Sequence, residues 1–261
     1  VLNVRPQPLY PDTRPLFTPT DRYTALTGEA GIGWEKANIR GLSSGKTNIE
    51  ARIKDGQIHV TPLDMQVNGG RLTLAPIVRL DVKPAALVFE RGVVIQDFQF
   101  TPEMTRNSLR FVAPMIANST NIQGQFSLNQ DFAIIPLNDP KLGEARGTLT
   151  IKSARVKPGP LFDALSEKIN QVLSIVNINR TSRLIDSDSV FLQVENQAVQ
   201  YHMIDGRVYH SPFEVQMKGI TVRTTGSVGL DESLDLIAEV GFTNLISEDK
   251  DQPILKTLIS R

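Results

Sequence analysis

An ungapped internal repeat constrains the fold of this chain more than any other feature. Residues 55–69 align with residues 205–219 at a constant offset of 150, and five of the fifteen aligned positions are identical. Unrelated segments of average composition would share about one. Both copies open on an Asp-Gly pair between runs that alternate apolar and polar residues, which is typical of a β-hairpin because both residues tolerate positive φ. The chain is therefore predicted to contain two copies of one strand-rich unit, which stack to bury faces that one copy cannot bury alone.

A second, shorter sequence repeat indicates where each unit begins. Gly28-Glu29-Ala30 recurs as Gly143-Glu144-Ala145, each time before a predicted strand. We expect a Pro-rich extended lead-in over residues 1–21, a first β-meander and helix unit over 22–142, and a second unit over 143–261. The predicted fold class is mainly β with a few helices (α+β), with both units in one continuous, curved antiparallel sheet.

Three segments carry helical signals. Thr101-Pro102-Glu103 combines an N-cap, a proline at the first position and an acid in the first turn, and predicts a helix that extends to Ile116. A second helix is predicted from Pro160 to Val176. Its apolar positions follow helical spacing: Leu161, Phe162, Leu165, Ile169, Val172 and Leu173. The apolar pattern of Ile254 to Ile259 predicts a third helix, aligned with the first at the repeat offset.

Composition excludes several classes of function. The 28 Lys and Arg residues balance 28 Asp and Glu residues, so nothing favours a nucleic-acid partner. The chain has no Cys, which excludes disulfides, thiolate metal ligands and Cys nucleophiles. The stretch from Gly41 to Thr47 resembles a phosphate-binding loop, but it has one residue too few between its glycines and leads into a strand. The sequence thus predicts no cofactor and no catalytic residue.

The histidines give no clear metal signal. His202 and His210 flank the Asp205-Gly206 turn and could meet across the hairpin, but His59 lies far away in the sequence. Because a third ligand is missing nearby, a solvated pair of histidines on the strands is favoured over a metal site.

Apolar stripes on the strands of the second unit allow two interpretations. In the first, they pack against the helices and form ordinary core. In the second, a curved sheet leaves them open as a groove for acyl chains. The candidate groove residues are Leu149, Ile151, Val190, Leu192, Val194, Leu234, Leu236 and Ala238. The predicted helix with Leu161, Phe162, Leu165, Ile169, Val172 and Leu173 would cap this groove.

The second unit resembles the C-terminal part of AsmA-like proteins. The resemblance covers residues 143–242 well and residues 24–126 more weakly, through the internal repeat. It rests on four segments: Gly147 to Ala154, followed by a helix, Val190 to Val199, Ile204 to Val208, and Gly226 to Leu236. The resemblance implies a periplasm-facing, membrane-anchored parent protein, built from a long twisted β-sheet with a hydrophobic groove. It further implies a role in outer-envelope biogenesis by bridge-like transfer of phospholipid, and no catalytic residues. Since the chain lacks the anchor and is too short to bridge two membranes, we expect it to be a terminal module.

Three functional hypotheses follow from these features. The first is a non-catalytic envelope module that binds or conducts phospholipid acyl chains. The second is a structural or adaptor module that docks an envelope protein partner through a sheet edge. The third is an enzyme, for which the sequence offers no positive feature.

Overall fold

The computed structural model describes residues 17–39, 42–107, 109–116, 121–157, 164–167, 191–217, 220–242 and 254–260. Most of these residues belong to a single antiparallel sheet, which confirms the predicted mainly-β class with a large curved sheet. The long strands of this sheet, several of which consist of two segments, pair in the order in which they follow one another in the chain, so the chain meanders from one edge of the sheet to the other. Among the described residues, no pairing joins the first strand of the meander to the last, so the sheet is open.

The first unit contains short strands that continue one another in pairs. Its elements are β1 (Thr18–Pro19), β2 (Gly28–Trp34), β3 (Ala37–Ile39), β4 (Leu42–Ser44), β5 (Thr47–Lys54), β6 (Gln57–Val60), β7 (Leu63–Val67), β8 (Gly70–Leu74), β9 (Ile77–Arg79), β10 (Val82–Lys83), β11 (Ala86–Phe89), β12 (Gly92–Gln99) and β13 (Ile122–Pro136). For example, β11 and β12 both pair with β13, and the register continues from Phe89↔Ala133 to Gly92↔Gln130. The segments 28–39, 42–54, 57–67, 70–79 and 86–99 are therefore long strands that are each interrupted once.

The second unit is built from longer, uninterrupted strands. They are β14 (Glu144–Val156), β15 (Leu192–Ile204), β16 (Arg207–Met217), β17 (Ile220–Gly229), β18 (Leu234–Phe242) and β19 (Ile254–Ser260). The five interrupted strands and β13 of the first unit correspond in number and order to these six strands. The repeat inferred from residues 55–69 and 205–219 thus extends over all described long strands, with β13 and β14 paired at the joint between the units.

The predicted tight turns lie at the hairpins. Asp55 and Gly56 have φ of 51° and 73°, and Asp205 and Gly206 have φ of 50° and 70°. Positive φ at both central residues gives the two-residue loop the twist that a hairpin requires. These turns fix the register of β5 with β6 and of β15 with β16.

A crease crosses the strands of the first unit. The interruptions at Thr61-Pro62, Ala75-Pro76 and 90–91 lie side by side, and they meet a bulge at residue 131 in β13. Proline cannot donate to the ladder, and bulges bend and twist a strand. The equivalent position of the second unit, Ser211-Pro212, lies at a register shift in the pairing of β16 with β17. The repeated proline therefore marks the place where both units bend.

One face of the sheet, here called the inner face, carries the hydrophobic core. Phe126, Leu149, Phe213 and Val222 are at most 2% exposed on this face. The core is completed by α1 (Pro102–Asn107) and two 3-10 turns, Leu109–Phe111 and Pro114–Ile116, which follow β12. We call residues 100–116 the helical insertion.

The helical insertion crosses to the second unit. Arg110 Nη1 lies 2.9 Å from Glu232 Oε1, in the turn that follows β17. Phe100 stacks on Phe126 with a centroid distance of 4.8 Å, and Met115 and Ile116 are fully buried. The insertion therefore packs on the inner face of the second unit and also on the part of the first unit that holds Val67 and Phe98, whereas the inner residues of the first unit on the other side of the crease are half-buried.

Two helix predictions need correction. Residues 254–260 form β19, which pairs with β18, and not a helix. The helix that begins at Pro102 ends at Asn107 and continues as 3-10 turns, the second of which begins at Pro114. Proline lacks the amide donor of a helix interior, which explains why one long helix does not form. The Thr101 cap is confirmed, since its Oγ1 accepts a hydrogen bond from the Met104 amide at 3.3 Å.

Candidate functional site

The groove residues predicted in the second unit lie in the core under the helical insertion. Leu149, Ile151, Leu192, Val194, Leu236 and Ala238 are each exposed by 2% or less. Leu234 is half-buried, and Val190 lies outside the described residues. These side chains share the inner face, as predicted, but they contact protein. Their contact with a ligand stays a prediction.

The predicted capping helix is described over residues 164–167 only. Leu165 lies there and is 1% exposed, within the same core as Leu192 and Val194. The other predicted capping residues lie outside the described part of the chain: Leu161, Phe162, Ile169, Val172 and Leu173.

An apolar surface that sequence reasoning did not single out lies on the inner face of the first unit. Its residues are half-buried and come from four neighbouring strands: Ile49, Ile53, Ile58, Val60, Val78 and Leu87. We call this surface the open apolar face. Where the open apolar face reaches the edge strand β2, Ile32 pairs with Ile49, and the Ile32 side chain is 65% exposed.

The open apolar face is a continuous row across the sheet. Ile53 pairs with Ile58, Ile58 with Val78, Val78 with Leu87, and Leu87 with Ile135 of β13. Paired residues point to the same face, so these side chains form one stripe perpendicular to the strands. Four spacings of about 4.8 Å make this stripe about 19 Å long.

The opposite, outer face of these strands is polar. In β5, inner residues alternate with exposed Asn48, Glu50, Arg52 and Lys54. Such alternation is the pattern of a sheet with one wet face. The inner residues of these strands are half-buried.

A polar bridge ties the two units together on the inner face. The Tyr201 hydroxyl donates a hydrogen bond to Gln130 Oε1 at 2.9 Å, which links β15 to β13 across β14. The strand between them has Gly147 at this position, and an added Cβ would lie 2.7 Å from the Tyr201 hydroxyl oxygen. Glycine therefore makes room for the tyrosine to cross the joint. Burial, together with the Asp131 carboxylate, raises the pKa of Tyr201, and the hydrogen bond with Gln130 opposes this.

His210 is the cross-strand partner of Tyr201 and is fully buried. Its Nδ1 lies 2.9 Å from the Ser211 carbonyl oxygen, which can only accept, so Nδ1 carries the proton of the neutral ring. Among the residues that the structure describes, its Nε2 has no hydrogen-bond partner. Burial lowers the pKa of His210, against the opposing effect of the Ser211 carbonyl.

The two histidines of the second hairpin are not a solvated pair, which corrects the expectation from sequence. His202 pairs with Tyr209 and faces outward, whereas His210 faces inward, and both side chains are inaccessible. His202 Nε2 lies 2.9 Å from Glu144 Oε1, and Arg146 Nη2 lies 3.0 Å from the same oxygen. Burial lowers the pKa of His202, with Arg146 acting in the same direction and Glu144 against it. Since Glu144 is 3% exposed, this acid and base stabilise the fold and do not meet solvent.

A depression of about 510 Å³ lies at the crease, and both polar and apolar residues line it. Its lining includes Glu29, Arg52 and Glu90, and Arg52 Nε lies 2.7 Å from Glu29 Oε1. Val60, which belongs to the open apolar face, also lines it.

Comparison with family models, with curated proteins and with solved structures found no match to this chain. Within the described residues, no helix is both long and apolar enough to span a membrane. The same residues hold no cluster of three or more His, Asp or Glu side chains that could bind a metal ion.

Proposed function

We propose that this chain binds phospholipid acyl chains on the open apolar face of its first unit. The observation that carries the proposal is the row from Ile53 to Ile135, which is apolar, continuous over five strands and only half-buried. Monomeric proteins rarely expose large contiguous apolar patches without a partner for them. An acyl chain would cover this row while its head group stays in water.

The chemistry of the row suits an acyl chain. Burial of each methylene contributes about 0.8 kcal/mol, and a row of about 19 Å can contact most of an extended chain. The residues are aliphatic and lack directional polar groups, which favours a ligand recognised by shape and apolarity. In β5, the charged residues point to the outer face.

The wider proposal follows the resemblance to AsmA-like proteins. The chain would then be a non-catalytic, periplasm-facing module of a membrane-anchored parent protein, and it would hold or conduct phospholipid for outer-envelope biogenesis. The open apolar face is the part of this proposal that can be tested on the chain itself.

Replacing Val78 with aspartate is expected to remove bound lipid. Its carboxylate would lie within the apolar row, and we expect lipid affinity to fall by roughly tenfold or more, or about 1.4 kcal/mol. Native mass spectrometry of the purified protein, followed by organic extraction, measures bound phospholipid. Uptake of fluorescent phospholipid from vesicles measures binding directly.

Ile77→Asp is the matched control, since Ile77 is the neighbouring residue, is equally half-buried and faces outward. It should keep its lipid, and Val78→Thr, which preserves side-chain volume, should show an intermediate loss. Thermal unfolding identifies variants that fail to fold. A wild-type protein that is free of lipid and takes none from vesicles would refute the proposal and favour the adaptor hypothesis.

A further inference from the structure

Within the described residues, the sheet ends at two edges that have no further strand partner, one at the beginning of the first unit and one at the end of the second. β2 is the first long-strand segment of the first unit, and in the described residues it pairs with β5 alone. β19 is the last strand of the second unit, and there it pairs with β18 alone. One free edge is therefore the first strand of a unit, which we call the unit start, and the other is the last strand of a unit, which we call the unit end.

The chain already contains one joint between a unit end and a unit start. There β13 pairs with β14 in antiparallel register, from Ile122↔Val156 to Ile134↔Glu144. Gly28-Glu29-Ala30 of the free edge repeats Gly143-Glu144-Ala145 at that joint. Because the strands of a meander alternate in direction and each unit has six, β19 of one molecule and β2 of another would also meet antiparallel.

The edge at β2 lacks the features that normally prevent pairing. Exposed edges are usually protected by proline, lysine or a bulge. Residues Gly28–Trp34 contain neither proline nor lysine, and their register with β5 has no shift. Residues 28–33 are all exposed, including Ile32 at 65%.

We infer that two copies of this chain pair end to start, with β19 of one molecule added to β2 of the next. The formal charges favour this over a pairing of two β2 edges, since β2 carries Glu29 and β19 carries Lys256. Like charges on directly opposed strands are destabilising. The contact is heterologous, so repetition extends the sheet and its inner face instead of closing a two-fold dimer.

Cysteine pairs test the register directly, because the natural chain has no Cys. Ile32→Cys protein is mixed with Lys256→Cys protein or with Thr257→Cys protein, two adjacent positions that sample both faces of β19. Disulfides need Cα atoms less than about 7 Å apart, so only paired edges link. We expect mixed dimers in one of the two mixtures, in excess of the dimers formed by Ile32→Cys protein alone. Disulfides between β2 edges only, or none, would overturn the inference.

Ile32→Lys is expected to weaken self-association by about tenfold, or about 1.4 kcal/mol. Sedimentation velocity over a range of concentrations of delipidated protein measures it, with thermal unfolding as the check on folding. Val93→Lys is the control, since Val93 is 53% exposed but lies in the interior of the sheet. A wild-type chain that stays monomeric throughout the range contradicts the inference. Because the protein is delipidated, that result leaves the proposed lipid binding standing.

Discussion

Replacing Gly226 with alanine is expected to lower the free energy of unfolding by about 3 kcal/mol or more. Gly226 has φ of 135°, a backbone conformation that side chains with a Cβ rarely adopt. An added Cβ would also overlap the carbonyl oxygen of Asp235 in β18 and lie 3.0 Å from the Leu236 Cα. Because both contacts are with backbone, the neighbouring strand must move to relieve them. Urea denaturation measures the loss.

Gly45→Ala is the control for this substitution. A Cβ at Gly45 meets nothing within 4 Å, so we expect only a small change in the unfolding midpoint. Gly226 pairs with His210 and with Leu236, in the part of the inner face that the core occupies. If Gly226→Ala proves as stable as Gly45→Ala, β17 and β18 are less closely paired than described here.

Local sequence signals predicted the turns and the repeat. Asp55-Gly56 and Asp205-Gly206 determine their hairpins through backbone freedom alone, and this depends on two adjacent residues. Period-two alternation likewise assigned residues 48–54 to a strand with one apolar face, and β5 spans Thr47–Lys54. These signals act over short distances, so a sequence is sufficient to interpret them.

The last strand was predicted wrongly because its pattern is ambiguous. Residues 254–259 are a short apolar run, and such runs fit a strand or a helix equally well. Alignment at the repeat offset then matched them with the helical insertion. The structure shows that this insertion lies before the sixth strand of the first unit, so residues 254–260 correspond in order to β13.

The sequence could not tell which apolar face is covered. The inner residues of both units have the same alternation, and the difference arises because the helical insertion packs over the second unit, where Arg110 meets Glu232, and over only the part of the first unit that holds Val67 and Phe98. That contact joins residues far apart in the chain. Leu192 and Leu236 are therefore core, whereas Val78 and Leu87 are half-buried. The inner positions of the first unit are as apolar as those of the second, so the sequence did indicate an apolar face there. Nothing in the neighbouring residues distinguished this half-buried face from the buried one of the second unit.

Burial of the two histidines also depended on distant residues. His202 is covered where Glu144, 58 residues earlier, forms a hydrogen bond with it. Sequence placed both histidines correctly on strands beside the turn. Their opposite faces follow from the register of β15 with β16, which pairs His202 with Tyr209 and Tyr201 with His210.

Acidification from pH 7.5 to pH 5.5 is expected to destabilise the protein through these two histidines. Their pKa values are lowered in the folded state, chiefly by burial. Below the unfolded pKa of about 6.5 the unfolded chain therefore binds protons that the folded chain does not. Stability is fully present above that pH and falls as pH decreases, by up to about 1.4 kcal/mol per pH unit for each histidine. Urea denaturation at pH 7.5, 6.5 and 5.5 measures the slope.

His210→Phe should remove the part of this pH dependence that His210 contributes, whatever it does to stability at pH 7.5. The phenyl ring fits a buried site that holds one unpaired ring nitrogen, and it cannot bind a proton. His210 lies between Tyr201 of β15 and Gly226 of β17, and neither of these cross-strand partners carries a carboxylate. Neither partner therefore stabilises the protonated form of the His210 ring. His59→Gln is the control substitution, since His59 is exposed on the outer face. An unchanged slope in His210→Phe would mean that His210 is protonated equally in the folded and unfolded states, which its burial without an Nε2 partner argues against.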